Sequence, residues 1–172
     1  MKKILCCILC VLMVFCLTAC SDTPTKEIGS GAQTNAGNGT PKDETFSLNE
    51  TAVFDDLKIT ATEIKETKGD DFFEPEDGKV FVGVKFTIEN VSSEEQSISS
   101  ILLFDAYADD VKCEYSFNAA CAFDEGLDGD LAAGKKMIGW YAVEVPKEWQ
   151  NIELEVKSSW LSSSSAKFVF EN

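Results

Sequence analysis

The sequence contains no histidine and no arginine; its positive charge consists of 15 lysines, set against 30 aspartate and glutamate residues. Without imidazole there is no Ser-His or Cys-His nucleophile pair and no histidine ligand for zinc or copper. Without guanidinium there is no bidentate fork for phosphate or carboxylate. A net charge of -15 repels a nucleic-acid backbone, so no nucleic-acid partner is expected. Long helical stripes are also missing: no window of 11 residues shows a convincing one. No cofactor and no metal site are expected.

The chain of 172 residues opens with the one long apolar run it has, "ILCCILCVLMVFCL" from Ile4 to Leu17, preceded by Lys2 and Lys3 and followed by the small residues Thr18 and Ala19. Charged start, apolar centre and small-residue end are the anatomy of a signal peptide over 1–19. As a helix the run spans only about 21 Å, short of a hydrocarbon core of about 30 Å. The next residue, Cys20, completes "LTAC", which resembles the lipobox of bacterial lipoproteins: a branched apolar residue, two small residues and a cysteine that takes a diacylglyceryl group. Cys16 follows the bulky Phe15, and Cys6, Cys7 and Cys10 lie within the apolar run, where small hydrophobes suffice. Cys20 is therefore the expected lipidation site, and the expected location is the extracytoplasmic face of the cell membrane.

Residues 21–45 are rich in Gly, Ser, Thr, Asn and Pro and hold one large aliphatic side chain, Ile28. So little apolar surface does not offset ordering entropy, and a disordered linker over 20–45 is expected. From Phe46 onward apolar residues alternate with polar ones, as half-buried strands require. The segments are 57–66, 79–90, 100–107, 111–117, 137–145, 151–157 and 166–171, with Asp109 and Asp110 in the turn of a hairpin. In 79–90, Val80, Val82, Val84, Phe86 and Ile88 share one face and Phe81 and Gly83 the other. About seven or eight strands without helices predict an all-β domain over 46–172, an immunoglobulin-like antiparallel β-sandwich with one wet side to its sheet.

Three groups of residues are candidates for chemistry or contact. "DEGLDGDLAAGK" (124–135) fits a calcium loop at Asp124, Asp128 and Gly129 but has Gly126 at the third position and Lys135 where a bidentate Glu belongs. Loop 124–130 is thus a solvated acidic loop by default, with calcium binding the sharper alternative. Cys113 and Cys121 are close enough for a disulfide if "CEYSFNAAC" doubles back, and are otherwise free thiols. Phe72, Phe73, Trp140, Trp149 and Trp160 are candidates for an interaction surface, with edge plugs of the sandwich as the alternative; alternation turns Trp140 outward.

In order, "FSLNETAVFDDLKITATEIKET", "DGKVFVGVKFTIENVSSEEQSI", "LFDAYADDVKCEY" and "LAAGKKMIGWYAVEVPKEWQNIELEV" resemble the uncharacterised immunoglobulin-like domain that ends many bacterial lipoproteins. That domain is related in fold to the secreted mycobacterial immunoprotective antigen. The resemblance implies fold, export and anchoring, and supplies no catalytic residues. The chain departs from the pattern at 118–130, which is more acidic and carries Cys121. The function expected is a non-enzymatic, membrane-anchored interaction module for an envelope protein or glycan. The alternatives are a carboxylate-dependent envelope hydrolase and an accessory component of an envelope complex or transporter.

Overall fold

The computed structural model describes residues 24–28 and 45–172; the expected signal peptide, Cys20 and most of the expected linker lie outside the described residues. Strands come first because β-branched and aromatic residues alternate with polar ones along most of the domain. The strands are β1 (Thr25–Ile28), β2 (Thr45–Phe46), β3 (Glu50–Val53), β4 (Leu57–Thr67), β5 (Lys79–Asn90), β6 (Gln96–Ile98), β7 (Phe104–Ala108), β8 (Val111–Lys112), β9 (Gly129–Leu131), β10 (Lys136–Pro146), β11 (Asn151–Lys157) and β12 (Ser165–Glu171). Two short helices, α1 (Ser100–Leu103) and α2 (Phe117–Cys121), interrupt them.

The strands form two five-stranded sheets, β1-β3-β4-β5-β10 and β2-β12-β11-β7-β8, and a small β6-β9 pair. All pairings within the two large sheets are antiparallel except β12 with β2. The expected β-sandwich is thus present, with more strands than expected. The unforeseen ones, β1, β2, β3, β6 and β9, have at most four residues each, too few for alternation to register.

The core lies between the sheets. Leu57, Ile59, Ala61, Val80, Val82, Val84, Phe86 and Ile88 face Ile152, Leu154, Val156, Ala166 and Phe168, all nearly free of solvent. A chain of rings crosses it: Phe46 to Phe168 at 5.3 Å between centroids, Phe168 to Phe86 at 5.4 Å, Phe86 to Phe104 at 5.3 Å and Phe104 stacked on Tyr141 at 4.7 Å. Burying each such side chain contributes on the order of 1.5–3 kcal/mol.

Several expectations need correction. Residues 100–103 are helix rather than strand; Ser100 is drawn in by the Asp128 carboxylate, which accepts from its backbone N–H at 2.9 Å and its hydroxyl at 2.8 Å. The strand expected over 111–117 ends at Lys112, and α2 begins at Phe117 because the Ser116 hydroxyl accepts from the Ala119 N–H at 3.2 Å as an N-cap. Helix α2 lies on the outer face of the first sheet, where Phe81 and Ala142 close a second buried cluster with Ala119. That face is consequently only partly wet. Gly83 permits this cover, since a Cβ there would sit 2.5 Å from the Phe123 ring.

Within the expected linker, Thr25–Ile28 form an ordered edge strand, pairing with β3 from Thr25 opposite Val53 to Ile28 opposite Glu50. Lys26 binds Glu50 at 2.7 Å and donates to the Thr45 carbonyl at 3.0 Å, and Lys58 binds Glu27 at 3.0 Å. Backbone pairing and ion pairs hold this strand, so its low apolar content gave no sign of it.

On the second sheet Asp105 sits between Lys112 at 2.8 Å and Lys157 at 3.3 Å. The hydrogen bond from Lys112 leads in holding its carboxyl below the ordinary value, helped by Lys157 and opposed by partial burial. A depressed carboxyl adds stability that is present above its unfolded pKa and lost as pH falls through its folded pKa. Asp105→Asn should therefore be less stable than the native chain near neutral pH, by about 1 kcal/mol or less for so exposed a cluster. The gap in urea midpoint should narrow as pH falls below the unfolded aspartate value of about 3.9.

Candidate functional site

Opposite ends of the sandwich differ. At one end the chain turns between β4 and β5, β7 and β8, and β10 and β11. The β7–β8 turn is tight because Asp109 and Asp110 both take left-handed backbone angles, φ 49° and 66°, as a type I′ hairpin turn requires. The Asp109 carboxylate also accepts from the backbone N–H groups of Gln150 at 3.0 Å and Asn151 at 2.9 Å, binding two of these turns together.

Beside this end a groove of about 570 Å³ opens between the 111–116 segment and β10. Its apolar wall is Ala108, Val111, Val145 and Pro146; its polar side carries Glu76, Lys79, Tyr115, Ser116 and Glu144. Glu144 organises the polar side. Its carboxylate accepts from the Glu76 backbone N–H at 3.0 Å and from the Ser116 hydroxyl at 3.4 Å, clipping the β4–β5 loop and the start of α2 to β10. Lys79 lies 2.7 Å from Glu76 and 3.6 Å from Glu144. Its hydrogen bond holds the Glu76 carboxyl below the usual carboxylate value, and the Lys79 ammonium is raised in return.

An aromatic rim flanks the groove. Asp70 turns the β4–β5 loop by accepting from the N–H groups of Phe72 and Phe73 at 2.8 and 3.0 Å. Phe73 then meets Phe117 edge-on at 6.3 Å. Phe72 is 87% exposed and Phe117 64%, with Tyr115 also open to solvent. Phe117, Tyr115 and Val111 were missed because 111–117 reads as a strand, in which alternate residues are taken as buried.

The five candidate contact residues do not form one surface. Phe72 and Phe73 belong to the rim. Trp140 faces outward as alternation predicts, but is half-covered by Phe123 at 5.0 Å and by the Lys85 ammonium 5.4 Å from its ring. Trp149 is a core plug, 4% exposed, whose indole N–H donates to Glu66 at 3.2 Å. Trp160 is exposed at the opposite end of the sandwich.

Cys113 and Cys121 are free thiols, so the disulfide alternative is not realised in this structure. Cys113 packs against the inter-sheet core, while the helix carrying Cys121 lies on the outer face. Burial pushes the Cys113 thiol up, away from the thiolate a nucleophile needs. In the acidic loop Asp128 holds Ser100, Glu125 pairs with Lys85 at 3.3 Å, and Asp130 lies in β9 opposite Ser97. Among the described residues no three Cys, Asp or Glu side chains are grouped so as to hold a metal ion. Also among them, no helix is long and apolar enough to cross a membrane.

Three crystal structures share this fold. A lipoprotein candidate of Bacillus subtilis, ycdA, matches 68% of this chain and 37% of its own at TM-score 0.56 and 16% identity. This chain thus spans little more than a third of that protein. The yjhA protein of Bacillus subtilis matches at TM-score 0.56 and 15% identity, over 73% of this chain and 97% of its own. An uncharacterized β-sandwich protein of Clostridium difficile matches at TM-score 0.52 and 16% identity, over 80% and 99%. No protein with a curated description matches. Residues 46–167 match the profile of a domain of unknown function, DUF4352, and the chain belongs to that family.

Proposed function

We propose that this chain is a lipid-anchored, non-catalytic binding module on the extracytoplasmic face of the cell membrane, related in fold to the secreted mycobacterial immunoprotective antigen. Its groove and aromatic rim take an envelope protein or glycan. One observation carries the reading: exposed Tyr115 lines a groove whose far wall is apolar, and Phe117, next to the groove residue Ser116 and edge-on to Phe73, extends that exposed aromatic surface beyond it. Exposed aromatics beside a concave apolar surface are what contact sites use as anchors. The hydrolase alternative lacks support at the same place. A glycosidase acid needs a raised pKa, whereas the hydrogen bond from Lys79 lowers that of Glu76.

The test uses the full-length protein in intact cells, with a photo-crosslinker at Tyr115 and sedimentation with isolated cell-wall sacculi. A discrete crosslinked adduct or retention on sacculi is expected, and Phe72→Ser with Phe117→Ser should lower it by about tenfold or more. Capture unchanged by that double substitution, or absent in both assays, overturns the reading of this site.

A further inference from the structure

The end of the sandwich opposite the groove carries a second exposed apolar patch. Segment 158–164, "SSWLSSS", leaves β11 where its partner β7 begins with α1, "SILL"; Val156 pairs with Phe104, so both segments emerge side by side. Here Trp160 is 69% exposed, Leu161 75%, Ile101 61% and Leu102 60%. In a chain with net charge -15, residues 99–103 and 158–164 contain no charged residue at all.

Strand β1 brings the N-terminal side of the chain to this same end. Thr25 pairs with Val53, which precedes the turn into Leu57, and Leu57 pairs with Asn90 at the far end of β5. The groove, by contrast, takes in Lys79 and Pro146 at the other end of that sheet. Only residues 21–24 separate Cys20 from Thr25, a reach of at most about 18 Å. A lipid on Cys20 would hold this end against the bilayer.

We infer that the Trp160, Leu161, Ile101 and Leu102 patch docks on the surface of the bilayer, with β1 as the clamp that sets its orientation and the groove directed away from the membrane. The inference rests on lipidation at Cys20 as proposed above. Tryptophan favours the headgroup layer, where its ring is apolar and its N–H is wet. Absence of charge removes the repulsion that the rest of this acidic surface would meet at anionic lipid.

The full chain, exported and processed, is reconstituted in phosphatidylethanolamine–phosphatidylglycerol vesicles with and without brominated acyl chains. Brominated lipid should quench a fluorescence component that is at least about twofold weaker in Trp160→Phe, because the buried Trp149 and half-covered Trp140 lie away from the bilayer. Phe72→Trp in the Trp160→Phe background should restore fluorescence without restoring quenching. Equal quenching in the native chain and Trp160→Phe, or quenching of Phe72→Trp, overturns the docking. Mass analysis of the mature N-terminus separates the two failures: no lipid on Cys20 removes the anchor itself, whereas a lipidated protein with unquenched Trp160 removes only the orientation.

Discussion

Phe168→Ala is expected to destabilise the domain by about 3–5 kcal/mol, the range for emptying an aromatic site in a close-packed core. Phe168 has no solvent exposure and stands between Phe46 at 5.3 Å and Phe86 at 5.4 Å. Its removal breaks the ring chain at the point where the two sheets meet. The cavity is closed in by strands on both sides, so relaxation recovers little. In a domain of this size the loss corresponds to a fall of roughly 10–20 °C in melting temperature. Phe168→Leu, which keeps most of the volume, should recover more than half of it in urea unfolding. Equal midpoints for the alanine and native chains would show that Phe168 does not pack as described.

Asn90→Leu is the second large effect, about 2–4 kcal/mol, and its cause is polar. Asn90 is fully buried at the end of β5. Its amide donates to the carbonyls of Leu131 at 2.8 Å and Glu94 at 2.7 Å, and its oxygen accepts from the backbone N–H and hydroxyl of Ser92 at 3.0 and 2.7 Å. Leucine has the same branched skeleton, in a bulkier form, but leaves the Leu131 carbonyl without that donor. The 91–95 turn and β9 should loosen together, visible as faster amide exchange at Ser92 and Glu94 than at Val82. A thermal midpoint within about 2 °C of the native value would contradict this account.

The long strands were legible because their apolar residues alternate over seven or more positions. Val80 through Ile88 face the core as their spacing predicts, and Trp140 faces out. What escaped the sequence depends on partners distant along the chain. Phe81 reads as a residue of the wet face until α2 and Phe123 are seen to cover it. Lys26 and Glu27 fall within the expected disordered linker until Glu50 and Lys58 stand opposite them. The groove was invisible for the same reason: Glu76, Ser116 and Glu144 meet only after three separate segments are brought together. Phe72 and Phe73 were recognisable as surface aromatics, because the acidic, turn-rich loop around them offers no buried position.

The parallel pairing of β2 with β12 sets a limit on the order of folding. Phe46 comes from the start of the domain and Phe168 from its last strand, yet they pair directly in register and share one core contact. Until β12 is available, neither the edge position of β2 nor the inner face of β11 has its neighbour, and the central rings have nothing to close against. Loop closure over nearly the whole domain precedes its largest gain, which slows folding toward the millisecond-to-second range of all-β domains. A chain threaded across a membrane from its N-terminus would remain unable to complete its core until the last strand had crossed, and so would stay extended enough to pass.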